Sequence, residues 1–169
     1  QVRFLRSQCV LVTLLLLAGF VYADRLTTIS EENLYSDDIV FAKSSLYQRI
    51  VITRWKDDLR LFLNGHLQFS SRDEYRYHEA LVHPGLQSLT SPRRVLVLGG
   101  GDGLAIREIL KYEAVERIQL VDLDPEVTRL FSQNVLLTQL NHNSFHSSKV
   151  RVTNADAFIW LQDSSEFFD

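Results

Sequence analysis

Hydrophobic positions along this chain follow three different periods in succession. Residues 10–23, VLVTLLLLAGFVYA, are uncharged and almost wholly apolar, with Arg3 and Arg6 before them and Asp24 and Arg25 after. No polar face recurs there at the 3.6-residue period of a half-buried helix. Counted from Ser7 the run reaches 17 residues, the lower limit of the roughly 17–25 that cross a bilayer. Three readings stay open. One is a signal peptide, with a basic start and Val21 and Ala23 spaced as at a cleavage site. The second is the last span of a longer membrane region, and the third a helix of a soluble core. The leading arginines favour a cytoplasmic N-terminal side with the domain outside.

From residue 24 to about residue 69 the period is that of strands. The segment 47–55, YQRIVITRW, is β-branched and aromatic, and Lys56-Asp57-Asp58 breaks it. Leu59, Leu61 and Leu63 then alternate with Arg60 and Phe62 as a strand with one buried face. Asn64-Gly65 supplies the two positive-φ positions of a type I′ turn, and Leu67 and Phe69 resume the alternation. The pattern predicts a small antiparallel meander. Ser71 as cap with Glu74 at the capping-box position then opens a helix reaching about residue 89, which carries Tyr75, Tyr77, His78, Leu81 and Val82. Ser91-Pro92 punctuates its end.

From residue 93 onward the pattern is strand–helix–strand. The unbroken apolar run 95–98, VLVL, predicts a parallel strand buried on both faces. A glycine loop at 99–103 follows, then a helix over 104–112 with Ile106, Ile109 and Leu110 on one face. A second strand covers 118–121, and Asp124 caps a helix with Pro125 at its first position. A third strand covers 150–152, a loop 154–157, and a further helix begins at Phe158. This predicts an α/β chain: an apolar N-terminal segment (1–24), a small antiparallel β domain (25–70), and an incomplete Rossmann-like, doubly wound domain with its leading helix (71–169). Ligands belong at the C-terminal ends of the parallel strands.

Composition narrows the classes. The 169 residues are 46% apolar and 23% charged, which excludes a disordered or collagen-like chain. A net charge of −3, from 18 basic and 21 acidic residues, leaves no basic excess for binding nucleic acid. The single cysteine, Cys9, rules out an internal disulfide framework and a Cys-based zinc site. The chain opens with Gln1, holds no methionine and stops at Phe167-Phe168-Asp169 within what reads as a strand, so a fragment of a longer protein is expected. His142 and His146 are four apart in a loop-like stretch with no third ligand, so a solvated connector is expected there and no metal. His66 and His83 read as structural or exposed.

The glycine loop carries the chemistry. The dinucleotide fingerprint Gly-x-Gly-x-x-Gly fails, because Leu104 or Ile106 stands where its third glycine belongs. Gly99, Gly101 and Gly103 instead form Gly-x-Gly-x-Gly, a spacing associated with AdoMet-type sites. Asp102 within the loop would repel a pyrophosphate and attract an ammonium or sulfonium. Asp122, nineteen residues past Gly103, stands at a strand end, where an acid takes a ribose hydroxyl pair.

Tyr47-Gln48, the segment LNGHLQFSSRDEYRYHEALVHP at 63–84, VLVLGGGDGLAIREILKY at 95–112 and VDLDPEV at 121–127 together resemble the spermidine synthases, the polyamine aminopropyltransferases. The resemblance runs from about residue 47 to residue 169 and is closest to a membrane-associated bacterial branch with a multi-span region before the synthase domain. It implies transfer of an aminopropyl group from decarboxylated S-adenosylmethionine, a co-substrate rather than a cofactor, to putrescine or another small polyamine, releasing methylthioadenosine. It implies that Gln48 meets the methylthioadenosine part of the donor and that Asp122 holds the ribose hydroxyls. Asp156-Ala157 matches an Asp-Gly pair at the adenine edge, with Ala157 departing from the pattern. The resemblance further implies that His78 and Asp102 meet the polyamine amine, with Gln68 and Tyr77 as secondary candidates for pocket lining. The family's Asp-x-x-Asp, which carries the base, is expected just beyond Asp169, so no catalytic group is assigned within the chain and the chain alone is expected not to turn over. The resemblance also implies a bacterial inner-membrane protein with a cytoplasmic synthase domain, and admits a homodimer. Two alternatives are an AdoMet-dependent methyltransferase and a non-catalytic polyamine- or nucleoside-sensing domain.

Overall fold

The structure, a computed structural model, describes residues 2–23, 25, 27 and 35–169. Helix α1 (Val2–Val21) begins well before the apolar run and takes in Arg3 and Arg6. Phe4–Val21 is long and apolar enough to cross a membrane by length and composition, and none of it is buried. It packs against none of the fold described here. The proposed boundary at residue 24 lies outside the described residues.

Strands β1 (Asp38–Ser44), β2 (Arg49–Trp55), β3 (Asp58–Leu63) and β4 (His66–Ser70) form an antiparallel meander in that order. Asn64 at φ 51° and Gly65 at φ 80° make the turn that the sequence predicts. Two expectations need correction. Asp58 does not break a strand: it opens β3, pairs with Trp55 and is buried. Its carboxylate accepts from Ser70 Oγ at 2.7 Å and Arg60 Nε at 2.8 Å, which offsets its desolvation. Leu67 does not join the buried face, because a bulge pairs Leu61 with Phe69 but Phe62 with Leu67. The extra residue turns Leu67 outward while Phe69 stays buried.

Helix α2 spans Glu74–Gln87, ending two residues short of the expected 89. The predicted capping box does not form. Asp73 takes the cap position without a side-chain bond. Ser71 Oγ instead accepts the Leu59 N–H at 2.9 Å and donates to Asp58, while Glu74 turns inward.

Parallel strands β5 (Arg94–Leu98), β6 (Arg117–Asp122) and β7 (Val150–Asn154) form the second sheet, with β6 central. Burial on both faces holds for β6, whose Ile118, Leu120 and Val121 are fully covered. It fails for β5, where Leu98 is 48% exposed. Among the described residues β5 lies at one edge of the three-stranded sheet. A groove of about 410 Å³ runs along it, lined by Leu81, Leu86, Val95, Val97 and Asp169 among others. Residues 167–169 are not in a strand, although Asp169 Oδ2 accepts the Arg93 and Arg94 N–H groups at 2.7 and 2.8 Å.

Helix α3 (Leu104–Ile109) stops three residues before the predicted end, tightening into i→i+3 bonds from Lys111 and Tyr112. Asp124 caps α4 (Pro125–Gln133) as expected, its side chain accepting from the Glu126 N–H. A short α5 (Val135–Leu140), capped by Asn134, follows, and a 3₁₀ turn at Ser144–His146 lies within the stretch expected as a loop. Asn154 closes β7 and Ala157 opens α6 (Ala157–Asp163), so the loop predicted at 154–157 is only Ala155 and Asp156. Two apolar clusters hold the elements in place. Ile50, Ile52, Leu61 and Phe69 of the meander pack with Leu104, Val127, Phe131 and Leu137, while Val82, Ile106 and Ile109 cover Ile118 and Leu120 of β6. The meander, the parallel sheet and the glycine loop are thereby fixed against one another.

Candidate functional site

Everything that the sequence singles out around the glycine loop converges on the C-terminal ends of β5, β6 and β7. Gly99, Gly100 and Gly103 have φ of 77°, 72° and 75°, a left-handed region closed to most side chains. Gly101 is needed for a different reason. A Cβ there would lie 2.8 Å from Asp122 Oδ2, and the Gly101 N–H donates to that oxygen at 2.9 Å. Asp122 Oδ1 accepts the Asp124 N–H at 2.9 Å, so one carboxylate braces both the loop and the start of α4. Burial pushes the Asp122 carboxyl above the usual carboxylate range, with the charge of Asp124 adding to it and the two N–H donors opposing.

Asp102 lies inside the loop, with Oδ1 accepting the Leu104 N–H at 2.9 Å at the start of α3. Among the described residues no donor meets its other oxygen. Burial raises its pKa, the Leu104 N–H and His78 pull it back, and Asp122 and Glu74 add repulsion. His78 reaches the same region from α2: burial lowers its pKa, but the bond to Glu74 and the charge of Asp102 outweigh that and leave it raised. Asp102 thus lies within electrostatic reach of both His78 and Asp122.

Gln48 is held by a bond that the sequence does not reveal. Its Nε2 donates to Asp124 Oδ2 at 2.9 Å, beside Ser45 Oγ at 2.6 Å, which fastens the meander to the β6 end of the site. A cleft of about 270 Å³ lined by Ser45, Tyr47 and Asp124 opens beside it. Asp156 Oδ1 caps α6, accepting from Phe158 N–H at 2.8 Å, and Ala157 is its first residue. Bonds to the Asp122 carbonyl from Ala155 N–H at 3.1 Å and Asn154 Nδ2 at 3.2 Å set that loop beside Asp122. Tyr77 stands edge-on to His78 at 5.1 Å between ring centroids. Gln68 is not tied to the group: it is exposed on β4, and its amide donates to the His66 carbonyl.

Sequence reasoning missed several supports. Glu74 reads as a cap and Arg107 carries no assignment, yet they form a buried fork, Nη1 to Oε1 at 2.7 Å and Nη2 to Oε2 at 3.0 Å. The connector at 141–146 is not simply solvated. His142 and His146 are exposed, but Asn141 and Ser144 are buried against the glycine loop. Asn141 Nδ2 donates to the Asp102 and Phe131 carbonyls, and Ser144 Oγ to the Gly103 carbonyl.

Among the described residues one group of side chains has metal-ligand proximity: atoms of Glu79, His83 and Glu108 lie within 4.8 Å of one another. Arg107 Nε at 2.9 Å and the Lys111 ammonium already occupy the two oxygens of Glu108, and His83 Nε2 lies at 3.2 Å. Two fixed cations on that carboxylate oppose a third. The cluster reads as an ion-pair network joining α2 to α3.

Comparison with known proteins agrees with this geometry. A profile of the spermine/spermidine synthase domain matches residues 74–169. A polyamine aminopropyltransferase of Leptospira interrogans is 58% identical over all 169 residues, which cover 34% of its own length; the chain thus spans about a third of the curated relatives that it matches. The crystal structure of spermidine synthase from Thermotoga maritima superposes with a TM-score of 0.72 at 28% identity, over 78% of this chain and 46% of that one. A spermidine synthase in complex with the transition-state analogue AdoDATO matches equally well over 44% of its chain.

Proposed function

Because the chain belongs to the spermine/spermidine synthase family, we propose that it is the donor-binding part of a polyamine aminopropyltransferase, moving an aminopropyl group from decarboxylated S-adenosylmethionine to putrescine. The observation that carries this reading is the Asp102 carboxylate, turned into the glycine loop within charge reach of His78. Decarboxylated S-adenosylmethionine carries a sulfonium and a primary ammonium, and an anionic pole suits both. S-adenosylmethionine itself would bring a carboxylate against Asp102 and be repelled.

The residue roles follow the chemistry. Gly99, Gly101 and Gly103 give the nucleoside close approach to backbone. Asp122 retains acceptor capacity for the ribose hydroxyls beyond the two N–H bonds that it holds. Gln48 lies against the methylthioadenosine portion, with Asp156 and Ala157 at the adenine edge. His78 and Asp102 orient the acceptor amine, with Tyr77 and Gln68 as lining. In the transfer the amine nitrogen bonds to the aminopropyl carbon, the C–S pair returns to sulfur, and methylthioadenosine leaves as a neutral thioether. An alkylammonium has a pKa near 10.4 and no free lone pair, so a carboxylate must take its proton. We assign that base to the Asp-x-x-Asp expected beyond Asp169.

The domain division at 25–70 and 71–169, a homodimeric state and an inner-membrane location belong to the same proposal. The exposed apolar α1 supports the membrane attachment. A cytoplasmic synthase domain follows from where the donor is made, as the family resemblance implies.

The test uses the full-length protein that carries these residues, incubated with putrescine and either decarboxylated S-adenosylmethionine or S-adenosylmethionine. Spermidine and methylthioadenosine from the decarboxylated donor alone are expected by mass spectrometry. S-adenosylhomocysteine from the other donor would make it a methyltransferase. Binding without product from either would make it a sensor.

A further inference from the structure

Glu74 has no part in the transfer as written, yet it is buried against the site's histidine. His78 Nδ1 lies 2.8 Å from Glu74 Oε2 and 2.9 Å from the Glu74 main-chain carbonyl. Both neighbours are acceptors only, so Nδ1 carries a proton whichever charge the ring holds. The two ring nitrogens are thereby made unequal. Nε2, on the other edge, is the one free to present a lone pair. The Arg107 fork grips both oxygens of Glu74 and also donates to the Leu140 carbonyl at 3.0 Å, which prevents the carboxylate from turning away.

Building on the reading of the site as an aminopropyltransferase, we propose that Glu74 is a positioning residue: gripped by Arg107, it fixes the His78 tautomer so that Nε2 accepts a hydrogen bond from the polyamine amine. A protonated polyamine amine offers only N–H donors, so a ring that presented Nε2–H would repel the cation it must orient. The charged groups facing His78 are Glu74 on its own helix, Arg107 behind Glu74 on α3, and Asp102 on the glycine loop. Protonated His78 meets the cationic acceptor with like charge, so acceptor binding weakens as pH falls through the raised His78 pKa.

Glu74→Gln tests this in the full-length enzyme. The amide has one oxygen where two are needed. With that oxygen on Arg107, its NH2 faces Nδ1 and opposes the proton there, which the main-chain carbonyl alone still accepts, so the Nε2–H tautomer gains population. The KM for putrescine is expected to rise about tenfold, the size of losing one charge-assisted hydrogen bond. The KM for the donor and kcat should change by less than about threefold. The acid limb of kcat/KM for putrescine should move to lower pH, because the carboxylate that raises the His78 pKa is gone. An unchanged putrescine KM and acid limb in an active variant would overturn the proposal. Should the variant not fold, imidazole ¹⁵N shifts of His78 in the wild-type protein decide instead. Nδ1–H in the neutral ring is expected, and Nε2–H overturns the proposal. A wild-type protein that transfers no aminopropyl group fails the underlying reading, and the proposal falls with it.

Discussion

Asp102→Asn in the full-length protein is expected to lower kcat/KM for aminopropyl transfer by at least about 100-fold while leaving the fold as stable as before or more so. The functional half rests on charge. Taking away one partner of a buried ion pair typically costs about 3–5 kcal/mol, and the proposed role of Asp102 is to be that partner for an ammonium. The structural half rests on shape. Oδ1 accepts the Leu104 N–H at 2.9 Å, and an asparagine oxygen serves a helix start as well as an aspartate oxygen does. Burial pushes the Asp102 carboxyl above its ordinary 3.8, against the Leu104 N–H and His78. A raised folded pKa favours the folded state fully below the unfolded value, and that stabilisation is lost as pH rises through the folded pKa. The variant has no such loss. Its melting temperature should match the wild type at about pH 3 and equal or exceed it at about pH 7. Preference for the decarboxylated donor over S-adenosylmethionine should also narrow, since the repulsion against a substrate carboxylate is removed. Retained activity would sink the charge argument; a large loss of stability would show Asp102 to be a structural cap.

That pairing of effects marks what the sequence could and could not disclose. The glycine loop, Asp102 and Asp122 were legible because each is set by a local rule: positive φ demands glycine, and an acid at a strand end is conspicuous in an apolar run. The Asn64-Gly65 turn and the Asp124 cap are local in the same sense. The supports were not legible, because they are contacts between residues far apart in sequence. Glu74 has the spacing of a capping box, but the buried Arg107 at a separation of 33 residues offers its carboxylate a bidentate partner. A charged fork outcompetes a single cap bond. Gln48 could be named from resemblance, yet the bond that holds it runs 76 residues to Asp124. The failure at β5 has the same origin. An apolar run states that a strand is coverable, and only topology says on which sides it is covered.

The connector at 141–146 leads to the second large effect. Gly103→Ala is expected to destabilise the fold by about 2–4 kcal/mol, combining a left-handed backbone penalty with overpacking of a filled site. Gly103 has φ 75°, and a Cβ there would stand 2.6 Å from Phe145 Cε2, 2.6 Å from Ser144 Oγ and 3.1 Å from Asn141 Nδ2. None of these neighbours can give way freely. Ser144 Oγ is held at 2.9 Å by the Gly103 carbonyl, and Asn141 Nδ2 is shared between the Asp102 and Phe131 carbonyls at 3.0 Å each. Phe145 packs against both apolar clusters. Moving Asn141 would release the Asp102 main chain, so the damage should reach the anionic pole as well as the melting temperature. Gly99→Ala is the control. Its φ of 77° carries the same backbone penalty, but nothing lies within 4 Å of its Cβ. Thermal denaturation of the two variants should therefore place Gly103→Ala below Gly99→Ala by the overpacking share, about 1–3 kcal/mol. Equal losses would mean that the connector yields, and that the glycine at 103 is required for backbone conformation alone.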